Sequence, residues 1–183
     1  KPDEERYSIF LDGTIRERTF SGFSGSAGVR YGFKTNWNAS FTLFRSLRTP
    51  GVEELYSEGP HLAAYAYEIG NANLDTEKGF STEFNLEYKT DRIQFNGAIY
   101  RNDIHGYIFP KNTNQRSYQR NDLFVYRYSG MHALMYGTEA TWHWHIFKQW
   151  NTDGTISYVH GILVEDDEPL PRIPPLQGKI GFY

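Results

Sequence analysis

An all-β, antiparallel sheet of the transmembrane-barrel type is the fold class that the sequence predicts, and three observations carry it. Segments of about ten residues alternate apolar and polar side chains with a period of two. Short and long connections follow one another in turn, as they do in a barrel with tight turns at one rim and loops at the other. Aromatic residues gather beside the short connections, where rings prefer a membrane interface.

The elements follow in chain order. Ala27, Val29, Tyr31 and Phe33 alternate with Ser26, Gly28 and Arg30; after Lys34-Thr35-Asn36 the row Trp37, Ala39, Phe41, Leu43 alternates with Asn38, Ser40 and Thr42. This predicts a hairpin with a short turn. A long link runs from residue 49 to 78. Phe80, Phe84, Leu86 and Tyr88 then oppose Glu83, Asn85, Glu87 and Lys89, and beyond a turn at 90–92 Ile93, Phe95 and Ile99 oppose Gln94 and Asn96. The alternation slips near Arg101 to Ile104, which predicts a bulge.

A second long link covers residues 110–123. Ala140, Trp142, Trp144 and Ile146 alternate with Glu139, Thr141, His143 and His145; a turn around Asn151 to Gly154, within 148–154, leads to Ile156 and Tyr158. A third long link covers 165–175, and Leu176 to Tyr183 reads as a last strand. About eight strands result. No helix with a period of 3.6, no repeat and no domain boundary stands out.

Composition narrows the function classes. Aromatics make up 17% of the 183 residues, led by 14 Tyr and 13 Phe, with negative mean hydropathy, a mix that suits short strands and polar loops. The net charge of −3 comes from scattered residues, so no electrostatic footprint for nucleic acid or anionic lipid is visible. The absence of cysteine excludes disulfides, thiolate metal sites and cysteine nucleophiles. Lys1 to Arg6 is charged with no apolar stretch behind it, so no leader peptide is read there, and no apolar run is long enough for a transmembrane helix.

Periodicity does not say which way the apolar rows point. A soluble sandwich or small barrel that turns them inward, binding a small lipophile or sugar, is the competing reading. Mid-strand charges such as Glu83 and Glu87, and the aromatics Tyr31, Phe33, Trp37, Tyr88, Trp142, Trp144 and Trp150 near the short turns, favour rows that face lipid. A hydrolase on a small barrel would need an acid, base or nucleophile cluster at one rim. No nucleophile elbow, P-loop or HExxH spacing is present.

The long link carries a resemblance. Arg48-Thr49-Pro50-Gly51-Val52-Glu53-Glu54-Leu55-Tyr56 and Gly70-Asn71-Ala72-Asn73-Leu74-Asp75-Thr76-Glu77-Lys78 resemble a paired motif of TonB-dependent outer-membrane receptors, R-x-P-x-x-x-E-L-Y leaving one strand and G-N-x-x-L-x-x-E leading into the next. Gly59-Pro60-His61-Leu62-Ala63 resembles the loop of members that import metals or metal chelates. Asn102 to Ile108, Tyr136-Gly137-Thr138-Glu139 and Arg172-Ile173-Pro174-Pro175-Leu176 add to the likeness, which spans residues 25–183. Ala72 and Thr76 stand where the family often has proline.

The resemblance implies an incomplete stretch of a 22-stranded barrel, without the plug domain and TonB box that members carry. It implies active uptake of an iron or zinc compound (siderophore, haem or metal ion) across the outer membrane of a Gram-negative bacterium. The partners would be the TonB complex acting through the plug, the cargo and outer-membrane lipid. No resident cofactor and no enzyme activity are expected, and the open strand edges of such a piece call for curling, for pairing between copies or for flanking chain.

Candidate ligands lie on histidines. His61, with Tyr56 and Glu58 nearby, sits in the longest predicted loop, where imidazole and carboxylate suit a metal, haem iron or chelate. A loop residue facing water is the plainer reading. His143 and His145 share one strand face and could hold Zn²⁺ if Glu139 joined them, or could simply be polar residues facing a wet interior. His105 and Asp103 could contribute from the next rim or mark a bulged strand end. The run Glu165-Asp166-Asp167-Glu168 lacks the spacing of a Ca²⁺ loop and reads as solvated.

Overall fold

Period-two alternation gives strands throughout the computed structural model, which describes residues 17–147 and 149–183. Lys1 to Arg6, on which the missing leader was read, and Lys148 in the third short turn lie outside them. The strands are β1 (Gly25–Lys34), β2 (Trp37–Arg48), β3 (Glu58–His61), β4 (Ala66–Ile69), β5 (Glu77–Lys89), β6 (Ile93–Arg116), β7 (Phe124–Phe147), β8 (Trp150–Leu163), β9 (Glu168–Pro169) and β10 (Gln177–Phe182). One helical turn, α1 (Val52–Tyr56), and a 3₁₀ turn at Leu62–Ala64 complete the set.

All ten strands belong to one sheet. Its order runs β1-β2-β5-β6-β7, after which β4 and β8 pair with different stretches of β7, and β8 also pairs with β9 and β10. No pairing among the described residues joins β1 to β10, so the sheet is unclosed. β1 on β2, β3 on β4, β7 on β8, and β9 and β10 on β8 pair antiparallel, whereas β4 lies parallel to Phe124–Arg127 of β7.

Three expectations need correction. The long link is not plain loop, because it folds into α1 and the small hairpin β3–β4, and the third long link holds β9; the described residues form ten strands where about eight were expected. The turn expected at Asn151 to Gly154 is strand, since β8 opens at Trp150 and Asn151 already pairs with His145. Backbone pairing overrode the turn propensity of Asn, Asp and Gly there. The irregularity expected at Arg101 to Ile104 falls on Gly106, whose φ of 71° only glycine takes without strain.

The chain divides into two compact units, and β5, β6 and β7 contribute residues to both. One comprises Phe23–Ser46, Gly79–Ile104 and His132–Tyr183. Its sheet has two unlike faces. The outward apolar row is bare: Val29 is 64% exposed, Tyr31 68%, Phe84 41%, Trp144 45% and Ile156 46%. These side chains form no dry core, and a water-facing sheet does not display so continuous an apolar surface. Beside the Thr35-Asn36 turn, Phe33, Trp37 and Tyr88 pack as a tilted aromatic group, with ring centroids 6.2 and 4.6 Å apart.

The opposite face of this unit is polar. Arg30 pairs with Glu87, the Asn85 amide donates to Glu83, and a cavity of about 550 Å³ is lined by residues including Asn38, Ser40, Gln94 and His143.

The other unit comprises residues 17–22, Leu47–Lys78 and His105–Met131. It has true cores. Tyr67, Ile69, Leu123 and Val125 form one where β4 lies on β7, and Leu55, Leu74 and Ile108 form another, with Phe20, Tyr56 and Tyr128 packed against it.

Around the second core the paired motif becomes a clasp. Arg48 donates to both oxygens of Glu54 at 2.9 and 3.0 Å and to both oxygens of Glu77 at 2.6 and 2.7 Å. Glu77 also accepts the Ile108 backbone N–H at 2.6 Å. Bidentate guanidinium to carboxylate contacts of this kind fix geometry as well as adding energy. Backbone bonds from Gly70 to the Ser57 carbonyl, 2.7 Å, and from Asn71 to the Glu54 carbonyl, 2.9 Å, close the link on itself. The family-like residues Arg48, Glu54, Leu55, Gly70, Leu74 and Glu77 therefore build the base of the loop.

Candidate functional site

The clasp holds up the β3–β4 hairpin, and the hairpin carries the best placed of the candidate ligands. In its register Glu58 faces Ile69 and His61 faces Ala66, so His61 and Glu68 fall diagonally on one face. The Nδ1 of His61 lies 2.9 Å from one oxygen of Glu68, and the Tyr128 hydroxyl donates to the other at 3.0 Å. A carboxylate only accepts, so Nδ1 carries a hydrogen, and in the neutral ring Nε2 presents its lone pair. The His61 side chain is 56% exposed, whereas that of Glu68 is 12% exposed. An exposed imidazole is thus oriented from behind by a shielded carboxylate, the arrangement that supports metal-binding histidines generally.

Charge around the network is negative. Burial, the hydrogen bond to Glu68 and the carboxylates of Glu68, Glu54 and Glu53 push the Tyr128 phenol up to about 12, so it stays a donor at neutral pH. Tyr128 lies near the start of β7, 19 residues along the chain from the strand's end at Phe147. The stability that goes with the raised value is present below the ordinary phenol value of 10 and is lost as pH rises through about 12.

The remaining candidates fall elsewhere. Tyr56 is half-buried against the Leu55, Leu74 and Ile108 core, and Glu58 is exposed at the start of β3. His105 is exposed on β6. Asp103, in the unit with the two-faced sheet, pairs with Arg101 at 3.3 Å and with the His132 ring at 2.7 Å. His143 and His145 do share the polar face of β7. The Tyr183 hydroxyl lies 3.4 Å from Nδ1 of His143, and His145 pairs with Asn151. Glu139 is exposed on the same strand face. In the acidic run, Glu165 accepts the His132 backbone N–H with both oxygens at 3.0 Å.

Reading the sequence for histidines and loops missed Glu68 and Tyr128, the two residues that position His61. A signal existed, because Glu68 interrupts the apolar run Ala66-Tyr67-Glu68-Ile69, and a shielded carboxylate needs donors.

Comparison with known proteins agrees with this architecture. Residues 5–183 match the family model described as TonB dependent receptor-like, beta-barrel. Among solved structures, the chain is similar to the copper transporter OprC, with a TM-score of 0.73 and 22% identity over 87% of this chain and 23% of that one. It is similar to the siderophore receptor PirA from Pseudomonas aeruginosa, TM-score 0.57 and 19% identity over 75% of this chain and 25% of that one. The ferric-catecholate import receptor Fiu from K12 E. coli gives a TM-score of 0.57 and 17% identity over 86% and 21%. The chain spans between 21 and 25% of the length of these three.

Proposed function

Since the chain belongs to the TonB-dependent receptor family, we propose that it forms part of the wall and loops of a receptor that takes up an iron, zinc or other metal compound. Members are Gram-negative outer-membrane transporters, not enzymes. The observation that carries the reading is the sheet with unlike faces, one bare and apolar for hydrocarbon, the other lined by charged and polar side chains. With the short turns on the periplasmic side, the link that bears His61 faces the exterior, where cargo arrives first. His61 is then a cargo contact whose free Nε2 meets a metal ion, a haem iron or a chelated metal.

The TonB complex, acting through a plug domain, would drive passage, and the polar face would supply a surface for the plug. An isolated copy of this stretch would offer the edge of β1 to another copy.

The test uses the receptor that carries this segment. Uptake of zinc salt, haem and a ferric chelate is measured in parallel under metal limitation, for the parent and His61→Ala, with outer-membrane abundance matched. Loss of the one contact is expected to lower uptake of one of the three by about tenfold. Equal uptake of all three by parent and variant would remove His61 from cargo binding.

A further inference from the structure

The apolar rows of β6 and β7 both run on into metal-ligating side chains. In β6 the row Ile93, Phe95, Ile99 continues, two residues at a time, into Arg101, Asp103 and His105. In β7, its neighbour in the sheet, the row Trp144, Trp142, Ala140 continues through Tyr136 and Leu134 to His132. The Nε2 of His132 lies 2.7 Å from Oδ1 of Asp103. With one ligand atom taken from each, Asp103, His105 and His132 all fall within 4.8 Å of one another.

Ligand type and spacing say what fits. Donor atoms bound at about 2.0–2.1 Å around a tetrahedral ion stand roughly 3.4 Å apart, so the three side chains reach one ion by closing about 1 Å. Asp103 and His132 form the anchored part of the set, with side chains only 28% and 26% exposed. Arg101 holds Oδ2 of Asp103 at 3.3 Å, which leaves Oδ1 for His132 or for an ion. Glu165 accepts the His132 backbone N–H with both oxygens at 3.0 Å and so fixes the strand behind that ring. His105 is exposed, so solvent and a dissolved ion reach the third donor directly. Two imidazoles and a carboxylate, with no sulfur among them, suit a borderline divalent ion such as Zn²⁺ and not a soft monovalent one.

We propose that Asp103, His105 and His132 form a Zn²⁺ site, each giving one donor and a water completing the tetrahedron. The site shares no residue with the His61 network. It also lies off the polar face, because the residues by which β6 lines the cavities there, Gln94, Asn96, Tyr100 and Asn102, alternate with Arg101, Asp103 and His105. An ion held here is therefore a resident that joins β6 to β7 through side chains, in addition to their backbone ladder, and stabilises the folded barrel by mass action. The proposal needs only these three side chains and does not rest on what the receptor takes up.

The test is calorimetric titration of the intact receptor with zinc chloride, in a His61→Ala background so that the cargo contact proposed above contributes nothing. Heat-modifiable migration confirms that each variant is folded. Zinc binding is expected to persist in that background, and His105→Ala or Asp103→Asn added to it is expected to weaken binding by about tenfold or more. His160→Ala, which removes a histidine stacked on Tyr136 and outside the cluster, is expected to leave it unchanged. With cobalt chloride in place of zinc, the visible bands of a four-coordinate ion should appear in the His61→Ala receptor and vanish when His105→Ala is added. His61→Ala receptor that binds no zinc would overturn the proposal. So would folded His105→Ala and Asp103→Asn variants that bind zinc as tightly as their background, which would leave Asp103 and His132 as a hydrogen-bonded pair and the receptor assignment untouched.

Discussion

Alanine at position 70 is expected to unseat the base of the long link and to destabilise its unit by about 3 kcal/mol, the upper range for overpacking. A Cβ on Gly70 would stand 2.5 Å from the Leu55 carbonyl carbon, 2.5 Å from the Tyr56 nitrogen and 2.7 Å from the Leu55 carbonyl oxygen. These are backbone atoms and cannot rotate aside. They belong to α1, whose Leu55 is one third of a core and whose Glu54 is half of the Arg48 clasp. The strain therefore spreads to Ile108 and Glu77, which hold that core to β6. Chemical denaturation of the whole receptor, with limited proteolysis between residues 49 and 76 as a local probe, would read the effect. A Gly70→Ala receptor with the parent's midpoint and the parent's resistance to cleavage would contradict the clasp.

Glu68→Gln should have the second largest effect, this time on metal capture. The substitution keeps the shape of the side chain but removes the charge and one of two accepting oxygens, so His61 and Tyr128 compete for a single carbonyl. Loss of an outer partner of this kind usually costs 10 to 100-fold in metal affinity, and about tenfold is expected for a histidine as exposed as His61. Titration calorimetry of the intact receptor with zinc or copper salt measures it. The phenol provides an independent reading, because without the Glu68 carboxylate Tyr128 should ionise below its parent value of about 12, towards the ordinary 10. If the phenol moves and metal affinity does not, the network is real but His61 does not face cargo. Should neither move, the network itself would be wrong.

Much of the fold was legible because sheet faces are written two residues apart. Phe80 to Tyr88 and Trp37 to Leu43 announced both the strand and its outward face, and the aromatics beside Thr35-Asn36 marked the turn end. Asn151 to Gly154 misled because its residues favour turns in isolation, while pairing with Trp142 to His145 holds them extended. The Trp142 ring covers Gly154, coming within 2.2 Å of where a Cβ would stand, so that glycine serves packing instead of a bend.

The site was legible only in part. His61 could be singled out by residue type and by its place in a long link. Nothing local connected it to Glu68, seven residues on, or to Tyr128, 67 residues beyond it. The parallel docking of β4 on β7 creates that connection.

The sequence by itself determined the strands, the division into apolar and polar faces, and the motif residues of the long link, because each depends on chemistry repeated over a few neighbouring positions. Only the tertiary structure decided that the motif is a clasp around Arg48 and that His61 is held by Glu68 and Tyr128. Those arrangements come from side chains brought together by strand pairing across long separations, where geometry is set by the sheet and not by adjacency along the chain.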